Sequence, residues 1–209
     1  MAIHYRTQGV FVKKSARGEA DELFIVYTKD FGKLKILGKA IRKITSKLRG
    51  GAQLFYLSDI EFIQGKTHKT LTDAIFIDKF YNIRKDLFKL RVAYRIAKIL
   101  DNLVSKEEKD GEVWELLNEV LQKLNSPILP IAGCQLLYYY FFWNLASVLG
   151  YQPDISGCSI QGKKINCDAI KILKVILKKD WKILSRLKLE PIHQKLLKNI
   201  SEWYRIKIT

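Results

Sequence analysis

The hydrophobic period of this chain changes once, near residues 78 to 82, and that change constrains the fold more than any other feature. Up to Asp78 the apolar residues fall in short β-branched and aromatic runs, GVFVKK, ELFIVYT, KLKILGK, QLFYLSDIEFIQ and TLTDAIFID. Several alternate with period two, and Gly, Asp, Lys and Thr separate them, which is the pattern of half-buried strands. After Asn82 the spacing becomes helical. In RKDLFKLRVAYRIAKILDNLV one stripe holds Leu87, Leu90, Tyr94, Ala97 and Asp101, and the adjoining one Phe88, Val92, Ile96, Ile99 and Leu103. EVWELLNEVLQKLN, the stretch around YYYFFW, DAIKILKVILKKDWKILSRL and EPIHQKLLKNISEWYRIKI continue that period.

Five strands in so short a segment suit a small closed barrel of the OB type. Phe31-Gly32 supplies a tight hairpin turn, and Gly9 and Gly38 mark bends at barrel corners. The expected architecture is therefore α+β: a five-stranded OB-type β-barrel over residues 1–80, followed by an all-helical domain over residues 81–209.

Charge is the strongest compositional signal. Thirty-seven Lys and Arg against twenty-one Asp and Glu give a net charge of +16, a field that concentrates polyanions. The excess is +7 through Lys79 and +9 beyond it, so neither half is a detached basic tail. Cys134, Cys158 and Cys167 are too few and too irregularly spaced for a secreted disulfide framework, and MAIHYRTQGV lacks the apolar run of a signal peptide. A cytoplasmic, nucleoid-associated location is the expectation. From Ser126 to Pro153 no residue is charged, which meets the length rule for a spanning helix. Pro127, Pro130, Gln135 and Asn144 and the absence of strongly basic flanks favour instead a buried helix centred on Leu136, Leu137, Phe141, Leu145 and Val148.

Between Asp30 and Asp59 there is no acidic residue, yet Lys33, Lys35, Lys39, Arg42, Lys43, Lys47 and Arg49 all occur. LGKAIRKITSKLRGG joins two strands, so these charges belong to a connection beside the barrel. Small barrels bind single strands by laying the backbone along a positive groove and stacking bases on rings. The candidate rings are Tyr27, Tyr56 and Phe62. A second run, Lys163 to Lys188, holds nine Lys and Arg against Asp168 and Asp180, and reads as one amphipathic helix with a cationic face. Its lysines, Lys171, Lys174, Lys178 and Lys182 among them, suit nucleic acid or an acidic peptide.

These residues resemble the family of the recombination mediator RecO. The likeness begins at Thr7 and Gly9 to Val10, runs through GEADELFIVYT and FGKLKILGKAIRKITSKLRGG, and returns in LTDA and LGYQPD. Glu19, Ala20, Asp21, Thr28, Gly32, Lys33, Gly38, Lys39, Arg42 and Ser46 stand where that family carries its recurrent residues. The resemblance implies an N-terminal OB barrel before a helical domain. It also implies binding of single-stranded and double-stranded DNA, annealing of complementary strands, and recognition of the acidic C-terminal tail of single-strand-binding protein. Association with RecR and indirect help to RecA loading follow from the same likeness. Lys171, Lys174, Lys178 and Lys182 are then the expected tail-binding residues.

RecO-like proteins frequently carry zinc after the LGYxPD segment, on two CxxC pairs. Here residues 154–168 form a degenerate version: Gln161 stands where the partner of Cys158 belongs, and Cys167 has no partner three residues away. Tetrahedral zinc needs four ligands, so no metal and no other cofactor is expected, and each cysteine reads as a small core or loop residue. No catalysis is expected either. His4, His68 and His193 are scattered, Walker, GxGxxG, GxSxG and HExxH motifs are missing, and Glu107 and Glu108 fall in a polar loop that reads as solvated surface. Two alternatives remain open at this level: an RNA-binding OB module, because phosphate grooves do not separate the polymers, and a membrane-associated interaction protein.

Overall fold

The computed structural model describes residues 3–105, 107–187 and 189–208. Strands β1 (His4–Arg17), β2 (Asp21–Thr28), β3 (Gly32–Gly38), β4 (Leu57–Gln64) and β5 (Lys69–Asp78) close a barrel in the order β1-β2-β3-β5-β4. β1 serves two neighbours. Its first half pairs with β4, from His4↔Ile63 to Val10↔Leu57, and its second with β2, from Gly9↔Thr28 to Arg17↔Asp21. A register shift between Phe11 and Lys13 bends the strand between these roles. Alternation sends Phe11, Phe24, Val26, Leu34, Ile36, Ile60, Phe62, Leu71 and Ala74 into one core. The five-stranded barrel read from period two is the one observed.

Closure of the barrel is asymmetric. β3 and β5 meet, in parallel, over only Ile36↔Lys69 and Leu37↔Thr70. Beyond that the free edge of β5 is approached by the connection from β3 to β4. A single 3₁₀ turn, Lys47–Gly50, packs there, and a Cβ added to Gly51 would lie 1.9 Å from the Ala74 carbonyl oxygen. Only glycine allows that approach.

Two compact units divide the chain, residues 1–125 and 126–209. Strand gives way to helix after Asp78, but the first helices belong to the barrel's unit: α1 (Tyr81–Lys85), α2 (Leu87–Leu103) and α3 (Gly111–Leu124). Asp86 caps α2 by accepting from the Phe88 and Lys89 amides, and Asp110 caps α3 by accepting from Val113. The buried face of α2 is Val92, Ala93, Ile96, Ala97, Ile99 and Leu100. This corrects the first of the two expected stripes. Leu87 is 79% exposed and Tyr94 49%, because the buried face turns toward the small side chains Ala93 and Ala97.

The second unit is built on α4 (Ile131–Val148), whose residues Leu136 to Ala146 are all buried. The polar atoms of so enclosed a helix need partners. Trp143 Nε1 donates to Ser201 Oγ at 3.0 Å, and Asn144 Nδ2 donates to the carbonyls of Tyr140 at 2.8 Å and Ile176 at 3.1 Å. Both partners Ser201 and Ile176 lie on the helices packed against α4, namely α7 (Pro191–Ile208) and α5 (Cys167–Leu177). Among the described residues no helix is long and apolar enough to cross a membrane.

Between α4 and α5 lies a sheet of three two-residue strands, β6 (Ile155–Ser156), β7 (Ser159–Ile160) and β8 (Lys163–Lys164). Here two expectations are corrected. Cys158 and Cys167 are not separate small residues; they are disulfide-bonded to each other, with Cα atoms 4.9 Å apart. The fold-back of β7 and β8 returns the chain to Cys158, where Ile165 N donates to the Cys158 carbonyl at 2.8 Å. The cationic helix of the second basic run is also broken. α5 ends at Leu177, Lys179 takes a left-handed φ of 57°, and Asp180 caps the separate turn α6 (Trp181–Leu184). Among the described residues no cluster of three or more His, Cys, Asp or Glu side chains is placed to hold a metal ion.

Candidate nucleic-acid interface

The connection between β3 and β4 is amphipathic without being helical. Ile41 and Ala52 enter the barrel core and Leu48 packs against it, while Lys39, Arg42, Lys43, Lys47 and Arg49 point outward and are exposed. Burying two aliphatic side chains of this size stabilises the seat by roughly 3 kcal/mol. Polar contacts fix both ends. Asp21 accepts from the Ala40 amide at 2.7 Å, Arg42 N donates to the Ala20 carbonyl at 2.9 Å, and the buried Ser58 hydroxyl donates to the Gly51 carbonyl at 2.7 Å. The cations therefore ride on an ordered track.

Among the described residues, Lys35, Lys39, Lys43, Lys47 and Arg49 form no ion pair. Among the described residues, the guanidinium of Arg42 reaches the Gly18 carbonyl, at 3.5 Å. Cations left unneutralised on one segment attract phosphate. Lys35 stands exposed on β3, at the approach to the same connection.

Lys33 does not join them. Its ammonium donates to the Asp101 carbonyl at 2.7 Å and pairs with the Asp101 carboxylate at 3.3 Å, so its charge is spent on α2. Tyr27 is corrected as well. It is 0% exposed, because β2 buries Val26, Tyr27 and Thr28 in succession, and burial pushes its phenol far above the usual tyrosine range. Phe62 is likewise a core residue. Tyr56 remains at the surface, half-buried, with the Arg84 guanidinium 4.8 Å above its ring.

One group of residues was not picked out from the sequence. At the end of β5 and in α1, Phe76 and Tyr81 are exposed, Lys79 Nζ sits 4.0 Å over Phe76, and Lys85 Nζ sits 4.3 Å over Tyr81. Phe76 also meets Tyr56 at 6.4 Å. The segment IFIDKFYNIRK interleaves rings and cations, but it straddles the change of period and so belongs to neither pattern.

A groove of about 620 Å³ between β1 and α2 carries Lys13, Lys14 and Lys98 on an apolar floor that includes Val12 and Tyr94. Its field is weaker than the number of lysines suggests. Lys13 pairs with Asp101 at 2.8 Å and Lys14 with Glu22 at 3.5 Å. The expected solvated loop at Glu107 and Glu108 is also more engaged than its charge implied. Glu107 pairs with Lys69 at 2.6 Å, Lys109 with Asp30 at 3.6 Å, and the Glu108 backbone lies against Gly32, whose φ of 61° makes the β2–β3 turn. In the second unit Lys171, Lys174, Lys178 and Lys182 are all exposed, but Lys171 pairs with Asp168 at 3.1 Å, and Lys182 stands on α6 beyond the break.

Comparison with known proteins adds to this geometry. Residues 1–80 match the family model described as Recombination protein O N terminal, and residues 84–170 the model described as Recombination protein O C terminal. A protein named DNA repair protein RecO from Dehalococcoides mccartyi is 30% identical over 161 residues, covering 77% of this chain and 62% of that protein. A protein of the same name from Roseiflexus is 28% identical, over 76% of this chain and 54% of its own length. One from Alkaliphilus metalliredigens is 21% identical over 97% of this chain and 93% of its own length. Against the first two, the alignments span less than two thirds of the relative.

Proposed function

Because the chain belongs to the RecO family of recombination proteins, we propose that it is a nonenzymatic DNA-repair and recombination mediator that binds DNA and anneals complementary strands. The observation that carries this reading is the basic connection, anchored by Ile41, Leu48 and Ala52 and presenting Lys39, Arg42, Lys43, Lys47 and Arg49 to solvent. Two phosphodiester chains repel each other. A cationic surface holding both lowers the cost of bringing complementary bases together, by charge neutralisation and release of counterions. No bond is made or broken on the protein in that process.

Single-stranded DNA is the principal ligand of this reading, with duplex DNA bound through the same phosphates. The family likeness adds the acidic tail of single-strand-binding protein, RecR, and RecA through its loading, within a cytoplasmic, nucleoid-associated setting. The exposed lysines Lys174 and Lys178, with Lys171 and Lys182, are the surface assigned to the acidic tail. The test is the salt dependence of single-strand binding. Neutralising about five phosphates gives a log-log slope of roughly −3 to −4. Combined Lys39→Glu, Arg42→Glu and Lys43→Glu substitution is expected to remove most of the binding and the annealing while leaving the melting temperature close to that of the parent. A triple variant that binds and anneals unchanged overturns the assignment.

A further inference from the structure

We infer that β5 and α1 carry a base-stacking platform for unpaired nucleic acid, formed by Phe76 and Tyr81 with Tyr56 beside them. This rests on the DNA-binding reading above and gives it a second component, one that reads bases instead of phosphates. The first observation is exposure. Ile75, Phe76 and Ile77 are consecutive on one strand and 56%, 45% and 49% exposed, and Tyr81 is 59% exposed. A strand with one face in the core should alternate, so three exposed apolar neighbours are a feature the barrel itself does not require.

The second observation is that all three rings carry a cation. Lys79 lies 4.0 Å from the Phe76 centroid, Arg84 4.8 Å from that of Tyr56, and Lys85 4.3 Å from that of Tyr81. A nucleotide brings both a flat π face and a phosphate, so its base can take the cation's place over the ring while the released lysine or arginine pairs with the phosphate. The apolar centre of a protein–protein interface, in contrast, is depleted of charge. Continuity is the third observation. Gly51 of the basic connection lies on the Ala74 carbonyl, one residue before Ile75. A backbone running along the connection thus delivers its bases to this strip. Duplex bases are already stacked on one another, so the platform favours unpaired strands.

The test compares Phe76→Ala, Tyr81→Ala and the conservative Phe76→Tyr on three labelled probes: oligothymidylate, an abasic oligomer of equal length, and a duplex. Thermal melting confirms that each variant is folded, and Tyr81, being exposed, serves if Phe76→Ala unfolds. Each alanine variant is expected to bind oligothymidylate about tenfold more weakly, with the abasic oligomer and the duplex unaffected and Phe76→Tyr behaving as the parent. Unchanged oligothymidylate binding in both alanine variants overturns the platform, as does an equal loss on the abasic oligomer. If the parent protein binds none of the three probes, the DNA-binding reading itself fails.

Discussion

Lys33 on β3 and Asp101 on α2 are joined twice, ammonium to carbonyl at 2.7 Å and ammonium to carboxylate at 3.3 Å, and Lys13 of β1 grips the same carboxylate at 2.8 Å. One acidic side chain thereby ties two barrel strands to the helix that follows. Burial raises the affinity of Asp101 for a proton, but the hydrogen bonds and charges of Lys13 and Lys33 outweigh it, and the group lies below its ordinary pKa of 3.8. Asp101→Asn is expected to cost about 1 kcal/mol near neutral pH, a value held down by partial solvent screening. A carboxyl depressed in the folded state stabilises fully above its unfolded pKa and loses that contribution as pH falls through the folded one. Urea unfolding of parent and variant should therefore differ near neutrality and converge in acid.

Gly51 controls the seat of the basic connection. A methyl group there would fall 1.9 Å from the Ala74 carbonyl oxygen, a backbone atom that cannot swing aside. Gly51→Ala is expected to destabilise the protein by about 1 to 3 kcal/mol, and to weaken single-strand binding more than the melting shift explains, because Lys47 and Arg49 would be displaced with the turn. Gly50→Ala is the control, since a Cβ at Gly50 meets nothing within 4 Å.

The barrel was legible in the sequence because one buried face imposes alternation on every strand, and the basic connection because no acid interrupts it. Its anchorage was not legible. Ile41, Leu48 and Ala52 are three apolar residues with no period among lysines, and they acquire meaning only because β5, paired with β4, meets β3 over just two residue pairs and leaves the rest of that edge to the connection. Tyr27 shows the limit of alternation: where both faces of β2 are covered, period two no longer sorts inside from outside. The break at Lys179 carries neither Gly nor Pro, so the lysine-rich run read as a single helix. Phe76 and Tyr81 were missed because aromatic residues on a strand end and a five-residue helix show no periodic signal.

The Cys158–Cys167 disulfide closes a short loop around the two-residue strands β7 and β8, which bury little of their own apolar surface. Removing the bond should cost about 2 to 3 kcal/mol in the chain-entropy account. Calorimetry of the oxidised protein with and without a reducing thiol is expected to show a lower transition temperature on reduction. A Cys158→Ser, Cys167→Ser double variant should melt low under both conditions and lose its response to the thiol.

Trp143 and Ser201 form a buried contact at the centre of the second unit, Nε1 to Oγ at 3.0 Å. Ser201→Ala would leave the fully buried indole N–H of Trp143 without its acceptor. The expected loss is about 1 to 3 kcal/mol, read by chemical denaturation and accompanied by a change in tryptophan emission. DNA binding by the basic connection should be unaltered.

Peptide-resolved hydrogen exchange of the full chain, with and without a short oligothymidylate, tests the central claim most directly. Protection is expected over residues 39–52 and 74–85, where the anchored cations and the rings of β5 and α1 lie, with β1, β2 and β4 unchanged. Protection confined to residues 126–209, or absent throughout at saturating oligonucleotide, would contradict it.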